Sequence, residues 1–589
     1  MHVADPAGLD NRTDSERNSS QELQNLWLLT IAVFAVKAVW AGFASGPTVF
    51  DDELFYRLNA TAIFDLSAYA TPHYPPLYSL VLAPAFWFEN WYQAMTILNA
   101  FWSTLVVPAA WLLARNIGLR QPLLAAALVS LLPFHMVYPH LIMSENLFVG
   151  LLTLAVAQAV RGAGTGNSAA FAFGATLALA HMTRYLFMPA AVVLAVTWIT
   201  MSWVQTPRPD WRRIVDGVVV ALVTYGALMG LWFWYGISSG FSWHRMLGLG
   251  AVGRAFPEDQ LELLALWVST YASYAWLTCV FGIVPIAVWL ISRKPQGFLA
   301  GWSPTSICFA LVTLVLAAGY WTLAVRHSYG AAYNVPVPQY MIGRYLVHIG
   351  PLFMVLGLFA LQHLRDGIAI PRFLPGLATF GVILMVTIAS WMLLYRDLIW
   401  ELTGWFAVLR FQSVGYGELR QGHVFSWFLA GLAGFIVLVW LKPRLSGWWQ
   451  CAPWAGVLIV LSGANVSAML DGNNGKHAMV FAGVVHPMVG QSPVSIWIDD
   501  RWLTNRQLTN GLRFFGFEHD QLRIQTWGEM NASTAGDSKC AAEFLISRSS
   551  FDKELLAIYE IHGREYFLYR KRNDIDSSDD SCVSPVTAE

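Results

Sequence analysis

Residues 26–46 read LWLLTIAVFAVKAVWAGFASG, and residues 47–56 continue at once with PTVFDDELFY. The first stretch carries one charge, Lys37, and has the roughly 20 mostly apolar residues that a helix needs to cross bilayer hydrocarbon. The second stretch places three consecutive carboxylates, Asp51, Asp52 and Glu53, where that helix would emerge. The fold reading follows from this junction of a spanning helix and an acidic cluster. Of the 589 residues 56% are hydrophobic and only 12% charged, with a net charge of -1. A soluble chain of this length would need about twice that charged share, and a near-neutral balance gives no electrostatic footprint for nucleic acid.

Apolar stretches of spanning length recur near 93–114, 122–138, 144–160, 168–182, 187–203, 214–237, 264–292, 303–325, 345–363, 373–395, 425–441 and 452–470. With the first, they predict a mainly α polytopic protein of about 13 transmembrane helices. The stretch 77–88, after Pro75-Pro76, is too short to cross and reads as an interfacial helix. With the N-terminus inside, the inner connections hold 12 Lys and Arg in 53 positions and the outer ones 9 in 129. That is the bias expected of cytoplasmic loops. Residues 1–25 are then a cytoplasmic polar tail, 26–470 the membrane domain with a large first outer loop at 47–92, and 471–589 lie outside. Alternating runs at 494–498, 522–527 and 543–546, the pair 557–561/565–570 and a helix at 502–515 make the last segment a small extracytoplasmic α/β domain. Its Asp- and Ser-rich tail from about 573 reads as disordered.

Acidic residues gather on the outer side, including Asp51, Asp52, Glu53, Asp65, Glu89, Glu145, Glu258 and Glu401. Carboxylates contribute little to topology, so an outer polar chamber is the reading. Within 51–53, one acid could take a proton while its neighbour orients it; a solvated first turn of a helix reads equally well. Downstream stand His73-Tyr74-Pro75-Pro76, then Ser144-Glu145-Asn146, then Gly343-Arg344-Tyr345.

In that order and sidedness these segments resemble the GT-C superfamily of membrane glycosyltransferases, especially the branch of protein O-mannosyltransferases and the lipid A aminoarabinose transferase. Asp52-Glu53-Leu54-Phe55-Tyr56 matches the family's Asp-Glu-x-x-Tyr spacing, with Asp51 as an extra acid and Tyr74 where the lipid A enzymes often carry Lys. The resemblance implies an inverting glycosyltransferase that moves a sugar from a polyprenyl-phosphate donor to a hydroxyl of a lipid, polysaccharide or protein on the outer face. It assigns catalysis to Asp52, Glu53 and Asp51 and the donor phosphate to Arg344 and Tyr345. Acceptor or sugar binding falls to Glu145, His73, Tyr56 and Arg184, with an internal Glu145–Arg184 pairing as the alternative. No cofactor is required, although a divalent ion at Asp51, Asp52 and Glu53 is possible. Membrane lipids are the remaining partner, and a plasma (inner) membrane is the expected location. The competing reading is a transporter or flippase of lipid-linked sugars. It fits less well because transporters place substrate charges near the midplane, whereas here they collect at one face. The polar loop 327–343 before Arg344 reads either as a cover over the donor site or as an ordinary connecting loop.

Overall fold

A computed structural model describes residues 7–44, 51–69, 71–162, 166–205, 211–247, 261–279, 302–331 and 344–365, several shorter pieces up to 466, and five strands between 494 and 570. The chain opens with α1 (Ala7–Gly42), α2 (Asp51–Phe64), α3 (Pro76–Leu82), α4 (Trp91–Ser103) and α5 (Val106–Asn116). It continues through α6 (Pro122–Ser130), α7 (Pro133–Val137), α8 (Glu145–Arg161), α9 (Asn167–Thr183), α10 (Met188–Val204) and α11 (Trp211–Ser238). The helices Pro304–Ala331, Arg344–Val347 and Gly350–Arg365 follow.

Among the described residues five helices are long and apolar enough to cross a membrane: Ser20–Gly42, Trp91–Asn116, Tyr185–Val204, Trp211–Ser238 and Pro304–Tyr329. A bent pair, Pro122–Ser130 with Pro133–His140, makes a sixth. These helices make the chain a multi-pass membrane protein. The spans expected at 373–395 and 425–441 lie outside the described residues, and only fragments of 452–470 fall within them.

Two expected spans are not continuous. The one at 122–138 is bent by 61° because Pro133 disfavours helical backbone at the residue before it, and Leu132 is extended at φ -57, ψ 133. The one at 345–363 is split into Arg344–Val347 and Gly350–Arg365, with Pro351 in the first turn of the second piece, where a missing N–H costs nothing. Both breaks leave irregular backbone inside the bundle. The stretch 77–88 is a short apolar helix, Pro76–Trp87, as its length required.

Close helix contact depends on small residues, the usual device where hydrophobic burial does not separate helix from lipid. At Gly174 of α9 a Cβ would lie 2.3 Å from the Ala221 carbonyl oxygen of α11, so these two helices approach backbone to backbone. Lys37, the lone charge of the first span, is buried and donates to the Ser103 hydroxyl (3.0 Å) and carbonyl (3.4 Å). It thus caps the carbonyl end of α4, where helix partners run out and the dipole favours a cation.

Beyond the membrane helices the strands lie in the order Leu522–Thr526, Val494–Ile498, Phe544–Ser547, Arg564–Arg570, Glu554–Ile561. The second is parallel to both its neighbours, and the last two form the antiparallel hairpin expected around 562–563. The helix expected at 502–515 and the tail from 573 lie outside the described residues.

Candidate functional site

Helix α2 begins at Asp51, so Asp52 and Tyr56 share a face one turn apart while Glu53 points about 100° away. That rotation separates the acids. Asp52 forms an ion pair with Arg344, 292 positions later in the chain, through one guanidinium nitrogen, Nη1. Its other oxygen accepts a 2.7 Å hydrogen bond from the Tyr74 hydroxyl. Glu53 is fully buried and accepts the backbone N–H of Ile142 at 3.0 Å. One Glu53 oxygen thus holds the segment that leads into α8. Asp51 opens the helix, and its side chain is outside the described residues.

That segment, 138–144, is buried and irregular, so its backbone polar groups need partners. Side chains supply them. The Asn146 amide nitrogen reaches the carbonyls of Tyr138, Leu141 and Met143 at 2.9–3.0 Å, and the Asn99 amide adds 2.8 Å to Leu141. The result is a fixed platform carrying Ser144 and Glu145. Arg184, at the end of α9, pairs with Glu145 and donates to the Ser144 hydroxyl at 3.2 Å, and the Tyr56 hydroxyl donates to the same oxygen at 2.9 Å. The Glu145–Arg184 pairing foreseen from the sequence is therefore present. The ring of Tyr345 sits 5.5 Å from the Arg344 guanidinium carbon and 5.9 Å from that of Arg184, within cation–π range of both.

Tyr74 is held from several sides. Its ring stacks on Phe55 at 5.4 Å and meets Tyr56 edge-on at 4.9 Å, and its carbonyl accepts the Tyr69 hydroxyl at 3.0 Å. Pro75 and Pro76 then start α3 with fixed φ. Burial pushes the Asp52 carboxyl up, but Arg344, the Tyr74 hydroxyl and Arg184 outweigh it and hold Asp52 below the usual carboxylate range. Burial and the Asp52 charge push the Tyr74 phenol up, so it remains a donor. Asp52 is an ionised carboxylate whose oxygens are both engaged.

Of the sequence-predicted residues, Asp52, Tyr56, Glu145, Arg184, Arg344 and Tyr345 meet in this cluster. His73 does not join it: its ring is exposed, edge-on to Tyr74 at 5.0 Å. Three members escaped the sequence reading. Tyr74 and Ser144 lay inside segments already singled out. His348, one turn beyond Arg344, is buried against Phe148 and Tyr320 (4.9 and 5.1 Å), with no hydrogen-bond partner for either ring nitrogen among the described residues. Of the three acids read as a possible divalent-ion site, Asp52 and Glu53 are turned to different partners. Among the described residues no group of three or more His, Cys, Asp or Glu is placed to hold a metal ion.

No protein-family model matches the chain, and no curated protein does. Solved structures do. The crystal structure of ArnT from Cupriavidus metallidurans bound to undecaprenyl phosphate is 15% identical, with a TM-score of 0.56 over 92% of this chain and 97% of that one. The apo state of the same protein gives 15%, 0.53, 91% and 97%. An oligosaccharyltransferase from Archaeoglobus fulgidus, tethered to an acceptor peptide containing the NVT sequon, is 11% identical at a TM-score of 0.40, covering 88% of this chain and 69% of its own. The ArnT match runs nearly end to end in both chains. This multi-pass membrane protein has the fold of the solved ArnT structures.

Proposed function

We propose that this chain is an integral membrane glycosyltransferase that moves a sugar from a polyprenyl-phosphate donor to a hydroxyl acceptor with inversion. The supporting observation is the Asp52–Arg344 pair: a charged base and a phosphate-competent cation, 292 positions apart in the chain, meeting at side chains 20% and 16% exposed. Asp52 takes the proton of the acceptor hydroxyl as its oxygen bonds to the anomeric carbon. The bond from that carbon to the phosphate oxygen breaks, and the electron pair leaves with polyprenyl phosphate. Attack opposite the leaving group inverts the centre, as where one carboxylate activates an incoming oxygen. The leaving group is already a phosphate, so it needs charge stabilisation more than a proton, and a guanidinium supplies this through several N–H donors. Tyr345 backs that guanidinium.

The reaction faces the extracytoplasmic side, the N-terminus is cytoplasmic, and the location is a plasma membrane, in line with the Lys and Arg bias. The acceptor is a lipid, polysaccharide or protein hydroxyl. Purified protein in proteoliposomes, given a panel of radiolabelled polyprenyl-phosphate sugars and a crude envelope extract, tests the proposal. Label moving to an acceptor supports it. Labelled lipid that changes leaflet without sugar transfer would instead establish the flippase reading.

A further inference from the structure

The site contains two acid–arginine pairs, and they are built differently. Glu145 and Arg184 are sealed, their side chains 1% and 9% exposed. No hydrogen bond from another group reaches either Glu145 oxygen among the described residues, so withdrawing Arg184 would strand a buried charge at high cost. Asp52 and Arg344 are partly open, and the Tyr74 hydroxyl remains on Asp52 if Arg344 leaves. Arg344 grips Asp52 through Nη1 alone, and its Nε has no hydrogen-bond partner among the described residues. A guanidinium has five N–H donors in a rigid fork. A phosphate can use that fork bidentately, which one carboxylate oxygen here does not.

We propose that the Asp52–Arg344 pair is the resting state of the site, and that a polyprenyl phosphate frees Asp52 by drawing Arg344 to itself, while Tyr74 keeps the carboxylate aimed. This deepens the glycosyltransferase reading and rests on it. Donor then binds before Asp52 can act, and the base is unmasked only when a leaving group is in place. The Asp52 oxygen released by Arg344 is the one that receives the acceptor proton. The charged and titratable groups facing Asp52 are Arg344, Tyr74, Arg184 and Tyr56. Of the two cations, Arg184 is ion-paired with Glu145, and Arg344 is the one that touches Asp52.

Infrared titration of the carboxyl band lost in Asp52→Asn, on the full-length protein in nanodiscs, tests this. Undecaprenyl phosphate is the probe, and undecaprenol is the control that lacks the phosphate. The expected result is a midpoint that rises by about 1–3 pH units with undecaprenyl phosphate, the size of losing a close opposite charge, and stays put with undecaprenol. In Arg344→Gln the midpoint is already raised and lipid adds nothing, while Tyr74→Phe keeps the lipid response. A midpoint unmoved by bound undecaprenyl phosphate, or moved equally by undecaprenol, overturns the inference. If transfer still depends on Asp52 in that case, the glycosyltransferase reading survives. If radiolabelled undecaprenyl phosphate does not bind, both fall.

Discussion

Removing Arg184 tests whether the second ion pair is scaffold or substrate site. Glu145 is 2% exposed and, among the described residues, its ion pair is with Arg184. The Arg184→Met variant therefore leaves a buried carboxylate uncompensated, a loss of about 3–5 kcal/mol. That is a fifth or more of the ~5–15 kcal/mol by which folded domains are stable. Ser144 would retain only the Tyr56 hydroxyl. The double variant Glu145→Leu/Arg184→Met removes both charges and keeps the volume roughly constant, so it should recover most of the loss. The pair's coupling energy would then exceed about 2 kcal/mol in a double-mutant cycle, inside the range for residues in contact. The assay is unfolding in mixed detergent micelles followed by tryptophan emission, with the four proteins in parallel. A single variant within about 1 kcal/mol of the parent, or a double variant no more stable than the single, would refute the reasoning, because a buried pair cannot lose one partner that cheaply.

Three further outcomes follow from the geometry. Glu53→Gln keeps an acceptor for the Ile142 N–H and should retain most transfer, whereas Glu53→Ala loses it along with the order of 138–144; equal loss in both would make Glu53 a chemical participant. Tyr74→Phe removes a bond that lowers the Asp52 carboxyl, so the acid limb of the transfer rate should move to higher pH. Asp52 stabilises the fold above its unfolded value, and that contribution fades as pH falls through its depressed folded one; the variant should lose it earlier, as pH-dependent melts would show. Gly174→Leu must part α9 and α11, since its Cβ falls 2.3 Å from a backbone oxygen, and should cost about 1–3 kcal/mol of overpacking strain or more; an unchanged melting temperature would contradict that contact.

Much of the site could be read from the chain alone because membrane burial makes charge conspicuous. Asp52, Glu145, Arg184 and Arg344 stood out as charges at the ends of apolar segments, and an acid at such a position demands a partner. The role of Tyr74 could not be read, since a tyrosine near an interface has an ordinary explanation as an anchor; its contact depends on how Pro75-Pro76 turns the backbone toward α2. The Asp-Glu-x-x-Tyr spacing pointed to Asp52 but did not say where the Glu53 side chain would go. Only the helical phase of α2 against the 138–144 segment sends one toward Arg344 and the other into the scaffold. Pro133 and Pro351 were visible, but apolar periodicity continues across both, and hydropathy does not register a bend whose freed backbone groups are satisfied by neighbouring side chains.

The most direct test of the central claim is single-turnover sugar transfer by Asp52→Asn beside the parent protein in proteoliposomes, with the active donor and matched thermal melts. Asparagine keeps the shape and the acceptor for Tyr74 but cannot take the proton, so transfer by the folded variant should fall about 10²–10⁴-fold, the range of a positioned general base, while its melting temperature drops only by what the lost Asp52 charge contributed to stability. Transfer at the parent rate by a folded Asp52→Asn protein would contradict the account.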